Sequence, residues 1–280
     1  MPTTTITRDK RANLQLLPAR RRSSSPSERT GAPEASILTL NISVAAEPRA
    51  ARILRWLRRR NDQVIVLTET NGNAGTELIR RGLEDSGYST HSAPEPGERG
   101  VLIASRLPVA EELNHAAITV PTRAQSISFS QPFQFVLLGI YVPSRDRSPE
   151  KVARKEQFLA SVLTSIERLS PRQRSNLILL GDYNAVARHH VPPLQGFFPY
   201  EYNFHDELAR LGLLPAHELK PWGKAQPHSW IGRTGIGYLY DYAHVGPGVR
   251  QRLRTCRYLH SPRGQRLSDH AAVALRLTTD

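Results

Sequence analysis

A single cysteine, Cys256, stands among 280 residues. No internal disulfide can form, and no cysteine-ligated zinc site exists. No apolar run approaches the ~20 residues that cross a bilayer, so no membrane partner is expected. The first residues lack the apolar core of a secretory leader, and none is expected. Acidic side chains are scarce relative to basic ones: 25 Asp and Glu stand against 38 Lys and Arg, a formal net charge of +13. Such an excess attracts polyanions, nucleic acid before acidic lipid, although it also suits an ordinary well-solvated surface. No repeat of solenoid length runs through the chain. Its length suits one large domain or two small ones, with a sizeable core.

Residues 1–35 lack a hydrophobic period. They are rich in Thr, Ser, Arg and Pro, with Arg20-Arg21-Arg22-Ser23-Ser24-Ser25 at their centre. Such a segment buries too little apolar surface to offset its ordering entropy. The expectation is a disordered basic tail, followed by one domain over residues 36–280. A loose arm on nucleic acid and an organelle transit peptide are the competing readings of the tail. The expected location is the cytoplasm or nucleoid, with organelle targeting by the tail left open.

From Ser36 onward, apolar runs and amphipathic stripes take turns. Strands are expected at residues 36–42, 64–69, 100–105, 126–130, 133–142, 176–180, 238–246, 253–259 and 271–277. Helices are expected near residues 48–60, 76–86, 149–169 and 202–211, the first with Ala50, Ile53, Leu54 and Leu57 inward. Residues 221–237, with Trp222 and Trp230, read as a loop. Strands and helices without strict alternation imply a layered α/β or α+β sandwich.

The polar residues that follow the apolar runs carry the chemistry. Leu177-Ile178-Leu179-Leu180 runs straight into Gly181, Asp182 and Asn184. Taken alone, this could be a strand followed by an ordinary turn. Other strands end the same way: Asn41 closes the first, Glu69 the second, and Tyr141 a later one. Asp241 interrupts Tyr238–Tyr242, and Asp269 and His270 precede the last strand. Together they would line one edge of a sheet sandwich. Asp, Glu and Asn offer only oxygen donors, which suits Mg²⁺ or Mn²⁺ and not zinc. A hard cation, acids, one histidine and a basic surface point to phosphate-ester hydrolysis.

These blocks resemble the endonuclease/exonuclease/phosphatase superfamily, in its exonuclease III and apurinic/apyrimidinic endonuclease branch. Leu67-Thr68-Glu69-Thr70 is similar to that branch's Leu-Gln-Glu-Thr, and Tyr141-Val142-Pro143-Ser144 to its Tyr-Val-Pro-Asn. Gly181-Asp182-Tyr183-Asn184 is similar to Gly-Asp-Phe-Asn, and Ser268-Asp269-His270 to the closing Ser-Asp-His. The segment from Gly196-Phe197 to Gly212-Leu213-Leu214 resembles the branch's stretch after Gly-Asp-Phe-Asn. Order and spacing hold from Ser36 to Leu277.

The resemblance implies a four-layer α/β sandwich of the DNase I-like fold, with two mixed β-sheets flanked by helices. It implies Glu69 as principal metal ligand, helped by Asn41, with Asp269 as a second-metal ligand or a shaper of the site. Asp182 would orient or deprotonate the attacking water, and Asn184 would position water or phosphate. His270 would contact the scissile phosphate, with Asp241 holding its imidazole cationic. Tyr141 would hydrogen-bond the phosphate. The expected activity is Mg²⁺-dependent hydrolysis of phosphodiester bonds in duplex DNA by a monomer, with Mn²⁺ as a substitute.

Three departures bear on the substrate. Ser43 stands where the branch has an acid or amide, Ser144 where it has Asn, and Leu239-Tyr240 where it has Arg-Ile before the Asp. A phosphatase or phosphodiesterase on RNA or a small phosphoester therefore stays as the alternative. A catalytically silent nucleic-acid-binding protein is the second. Ser144, Trp230, Tyr238 and Arg233 are the further candidates for substrate contact. The aromatic loop could stack on DNA or cover a hydrophobic cluster.

Overall fold

The computed structural model describes residues 34–92, 97–220, 223 and 225–279. The Arg- and Ser-rich tail before Glu34, and Trp222, lie outside these residues. In chain order the strands are β1 (Glu34–Asn41), β2 (Val64–Thr70), β3 (Ser89–Ser92), β4 (Gly100–Ser105), β5 (Val109–Glu112), β6 (Ala124–Phe129), β7 (Phe135–Tyr141), β8 (Leu177–Asp182), β9 (Leu214–Pro215), β10 (Trp230–Ile231), β11 (Gly237–Tyr238), β12 (Asp241–Val245), β13 (Leu253–Leu259) and β14 (Ala272–Thr278). The helices are α1 (Glu47–Arg60), α2 (Ala74–Glu84), α3 (Pro149–Glu167), α4 (Pro171–Ser175), α5 (Pro199–Arg210), α6 (Ala216–Leu219), α7 (Pro247–Arg252) and α8 (Ser261–Gly264).

Two six-stranded sheets form the centre, in the orders β13-β14-β1-β2-β4-β3 and β5-β6-β7-β8-β12-β9. Within them β1 pairs with β2 in parallel, as β7 does with β8, and the other pairs are antiparallel. The central strands are apolar on both faces because both faces are covered. Alternate side chains divide between the layers. Ile37, Val66, Leu137, Ile178 and Val273 meet in the core between the sheets. Leu38, Leu40, Ile65 and Leu67 pack with Ile53, Leu54 and Leu57 of α1. Leu138, Ile140 and Leu179 pack with Phe158 and Val162 of α3 and Phe204 of α5. The result is a four-layer sandwich with helices outside two mixed sheets. Each such buried side chain stabilises it by roughly 1.5–3 kcal/mol.

Some elements differ from the pattern of the sequence. The edge strands β3 and β5 carry Ser-Thr-His-Ser and Val-Ala-Glu-Glu, and no apolar run marks them. Polar edges of this kind discourage further strand pairing. The stretch over 221–237 is not all loop, because Trp230–Ile231 pairs with Gly237–Tyr238 as a short hairpin. Helix α5 begins at Pro199, three residues ahead of expectation, with proline in its first turn.

Candidate active site

The parallel pairs place carboxyl ends side by side. Asn41 lies opposite Thr68 across β1 and β2, next to Glu69. Tyr141 lies opposite Asp182 across β7 and β8, and Asp182 opposite Asp241 across β8 and β12. The antiparallel strand β14 starts at the same edge, so His270 arrives just before it. Two backbone devices sharpen this edge. The pairing of β2 with β4 shifts register between Thr68 and Thr70, and Glu69 between them sits at φ 52°. A bulge of this kind re-aims one side chain. Gly181 takes φ 140°, and a Cβ there would stand 1.9 Å from the carbonyl oxygen of Ile140. Only glycine fits beside Asp182.

Hydrogen bonds then join the two sheets. Asn41 Nδ2 donates to Glu69 Oε1 at 3.0 Å and to Asp182 Oδ2 at 2.9 Å. The Tyr141 hydroxyl donates to Glu69 Oε1 at 3.0 Å. The backbone N–H of Asn184 donates to Asp182 Oδ1 at 2.9 Å, and its side-chain amide to the Val142 carbonyl at 3.0 Å. Asn184 sits at φ 45°, a conformation asparagine tolerates. Ser268 Oγ donates to the Asn41 carbonyl at 2.6 Å and accepts from the His270 N–H at 3.0 Å. The closing Ser-Asp-His segment is thereby tied to the first strand.

His270 Nδ1 lies 2.7 Å from Asp241 Oδ2, both residues being buried. Burial alone would lower the imidazole pKa; the Asp241 carboxylate outweighs it and raises it to about 10, so His270 is a cation at neutral pH. Burial, with Asp241 and Glu69 adding to it against the pull of His270, pushes the Asp182 carboxyl up to about 7. A carboxylate so placed is suited to take a proton near neutrality. Burial and the Glu69 charge hold the Tyr141 phenol well above its ordinary value, so it stays a hydrogen-bond donor.

Ligand atoms of Asp182, Asp241 and His270 lie within 4.8 Å of one another. That trio does not suit a metal, because Asp241 is committed to a cationic imidazole. The other end of the network does. Glu69 is partly exposed, and its carboxylate is a hard-cation donor; the Asn41 carboxamide turns its Nδ2 to Glu69 while its Oδ1 accepts from the Ser43 N–H at 2.7 Å. Arg99 Nη1 now donates to Glu69 Oε2 at 2.9 Å and to the Tyr141 hydroxyl at 3.2 Å.

The remaining expected residues are placed as follows. Asp269 is exposed, and its Oδ2 accepts from the Trp230 indole at 3.0 Å. Trp230, Tyr238 and Tyr240 pack together, with ring centroids 5.1–5.8 Å apart. Arg233 is exposed in the hairpin between β10 and β11, and Ser144 is exposed beyond β7. His189 meets Glu218, while His190 is buried and accepts from the Leu239 N–H.

Residues absent from the sequence reading also support the site. Lys155 is 2% exposed, and its ammonium donates to the Asn184 carbonyl and to Glu201. Arg145 is paired with the same Glu201. A signal for Lys155 existed, since it lies on the apolar stripe of Val152, Leu159 and Val162. None marked Arg99 among so many arginines.

Comparison with known proteins identifies the fold and the family. No curated protein matches the chain. A 3′ phosphatase from Neisseria, solved with a product DNA hairpin, superposes with TM-score 0.73 at 20% identity, over 87% of this chain and 99% of that one. An AP endonuclease from Archaeoglobus fulgidus does so with TM-score 0.72 at 18% identity, over 86% and 98%. A 3′–5′ exonuclease from Neisseria meningitidis gives 0.72 at 21% identity, over 86% and 99%. These likenesses establish the DNase I-like fold. The endonuclease/exonuclease/phosphatase family profile matches residues 38–271, and the chain belongs to that family of phosphate-ester hydrolases.

Proposed function

We propose that this protein is a divalent-metal-dependent phosphodiesterase acting on DNA as a monomer, of the AP endonuclease and exonuclease III kind. The observation that carries the reading is the hydrogen-bonded chain Glu69–Asn41–Asp182, set beside the Asp241–His270 pair. Similarity to an AP endonuclease, and to a 3′ phosphatase bound to a DNA hairpin, supports DNA as substrate. So does the net charge of +13.

In this reading Asp182 takes the proton of the attacking water. Asn184, fixed through Val142 and Asp182, orients that water or the phosphate. Because Nδ1 of His270 is engaged by Asp241, Nε2 is the donor left for a phosphate oxygen. The imidazolium stabilises the charge that grows there in the transition state. Tyr141 hydrogen-bonds a second oxygen. Mg²⁺ or Mn²⁺ held by Glu69 and Asn41 would supply Lewis-acid neutralisation of the phosphate. Asp269 serves the site through Trp230, as a shaper. Water opens a P–O bond, and the products are a phosphate monoester and a free hydroxyl.

Phosphatase or phosphodiesterase action on RNA or a small phosphoester is the second reading, and one observation favours its small-phosphoester form. Trp230, Tyr238 and Tyr240 pack on one another, so the ring faces a base would stack on are already engaged. A panel of abasic duplex, plain duplex, single strands, RNA and a small phosphodiester, each with Mg²⁺ and with EDTA, tests the proposal. Turnover of only the small ester transfers the assignment to the second reading. Binding of DNA without cleavage of any substrate overturns both.

A further inference from the structure

A cavity of about 650 Å³ lies beside the β10–β11 hairpin, within the roughly 300–1,000 Å³ of small-molecule sites. None of Asn41, Glu69, Tyr141, Asp182, Asp241 and His270 lines it. Ile231 lines it and Trp230 does not, since neighbours in a strand face opposite ways. Cys256 and Tyr258, alternate residues of β13, form one wall. The Tyr258 hydroxyl donates to the Asp241 carbonyl at 2.8 Å, which joins this wall to the catalytic edge. The rim is tied together by hydrogen bonds. Gln226 Oε1 accepts from the Val191 N–H at 3.1 Å, and Gln226 Nε2 and His228 Nε2 donate to the Val191 carbonyl at 3.3 and 2.9 Å. Two loops are thereby held in place, and the cavity is preformed.

Its lining has an apolar side and a cationic corner. Of the three large apolar side chains exposed among the described residues, Val191 at 61% and Ile231 at 44% both belong to it. Apolar side chains left open around a cavity mark a binding surface. Arg263 forms the corner. Its Nη2 donates to His260 Nδ1 at 2.7 Å, so the ring proton of His260 sits on Nε2, free to donate outward. Arg263 has no carboxylate partner among the described residues, and its Nη1 is buried with no hydrogen-bond partner there. A guanidinium drawn out of water without an anion is costly unless something adds negative charge. Glu218, the acid on the wall, is already engaged by His189 at 2.8 Å.

We propose that this cavity binds a small molecule in which an oxyanion is carried on a flat apolar ring. The Arg263 guanidinium and the His260 Nε2–H hold the oxyanion, a carboxylate or a phosphate monoester, since the planar fork of arginine suits either. The ring lies between the Tyr258 wall and the side chains of Val191 and Ile231. The site is separate from the phosphate chemistry and does not depend on which ester the protein cleaves.

The test is calorimetric titration of the full chain, in EDTA, with naphthoate, naphthyl phosphate and uncharged naphthol. The unaltered protein binds at least one of the two anions, and binds naphthol about tenfold or more weakly, the difference expected when charge-assisted hydrogen bonds are lost. Arg263→Gln removes the charge, and Val191→Trp fills the cavity from an exposed position. Each raises the dissociation constant of the anion about tenfold. His270→Ala leaves it unchanged. The tighter of the two anions identifies the head group as carboxylate or phosphate, and equal affinities support the oxyanion alone as the recognised feature. Binding of neither anion, equal binding of naphthol, or a loss in His270→Ala without one in Arg263→Gln overturns the site. Should Arg263→Gln fail to fold, Val191→Trp decides by itself, and an unchanged affinity there removes the proposal.

Discussion

The imidazole Nδ1 of His270 lies 2.7 Å from Asp241 Oδ2, although Asp241 begins β12 of one sheet and His270 precedes β14 of the other. Asp241 is fixed in turn, its N–H donating to Ser229 Oγ at 2.9 Å. This pair makes His270 a cation where a phosphate would need one. Asp241→Asn keeps the shape and removes the charge. The His270 pKa should fall from about 10, and turnover should drop by about 10²-fold. In the unaltered protein the folded pKa lies above the unfolded one. The pairing therefore stabilises fully below about pH 6.5 and is lost as pH rises through about 10. NMR titration of the imidazole measures the shift directly, and an unchanged His270 pKa in the variant would remove Asp241 from this role.

Gly181→Ala should destabilise the protein by at least ~2 kcal/mol, given the left-handed backbone and the contact with the Ile140 carbonyl. Urea denaturation checks this. Because Asp182 follows directly, kcat should fall even in molecules that remain folded.

Lys155→Met removes one partner from a buried ion pair and one donor from the Asn184 carbonyl. Burial already lowers the Lys155 pKa against the pull of Glu201, so its charge depends on that partner. A loss of about 3 kcal/mol is expected in denaturant unfolding. Adding Glu201→Gln should deepen the loss, since Glu201 also pairs with the buried Arg145 and its charge is then left without a partner. A loss below ~0.5 kcal/mol, typical of a surface site, would contradict the structural role.

Two buried histidines outside the catalytic set contribute to acid stability. Burial lowers His205 to about 3 and His217 to about 4. Their folded values lie below the unfolded value of 6.5, so the unfolded chain binds more protons. Stability is full above about pH 6.5 and is lost as pH falls toward 4 and then 3. Neither ring nitrogen of His205 has a side-chain partner among the described residues. His205→Phe should therefore flatten the decline of the urea midpoint between pH 6.5 and 4; an unchanged slope would contradict this account.

The site was legible in the sequence wherever a polar residue closed an apolar run. Asn41, Glu69, Tyr141, Asp182 and Asp241 could be named because strand ends in a layered sandwich share an edge. The four-layer order followed from the family resemblance more than from periodicity, which cannot specify strand order. Arg99, Arg123 and Glu98 were not legible, since their meeting depends on the turn before β4 and the short helical turn at Pro121–Arg123 packing over Tyr141. An arginine among many reads as solvated surface until tertiary packing buries it. The hairpin of β10 and β11 was missed because two-residue strands carry no period.

In the proposed mechanism Asp182 and a divalent cation near Glu69 together drive phosphodiester hydrolysis. Its most direct test is the cleavage rate of an abasic-site duplex by the unaltered protein and by Asp182→Asn, each with Mg²⁺ and with EDTA. The unaltered protein should cleave in Mg²⁺ and not in EDTA, and a folded Asp182→Asn should be at least ~10²-fold slower. Cleavage that persists in EDTA, or an Asp182→Asn variant as fast as the unaltered protein, would contradict it.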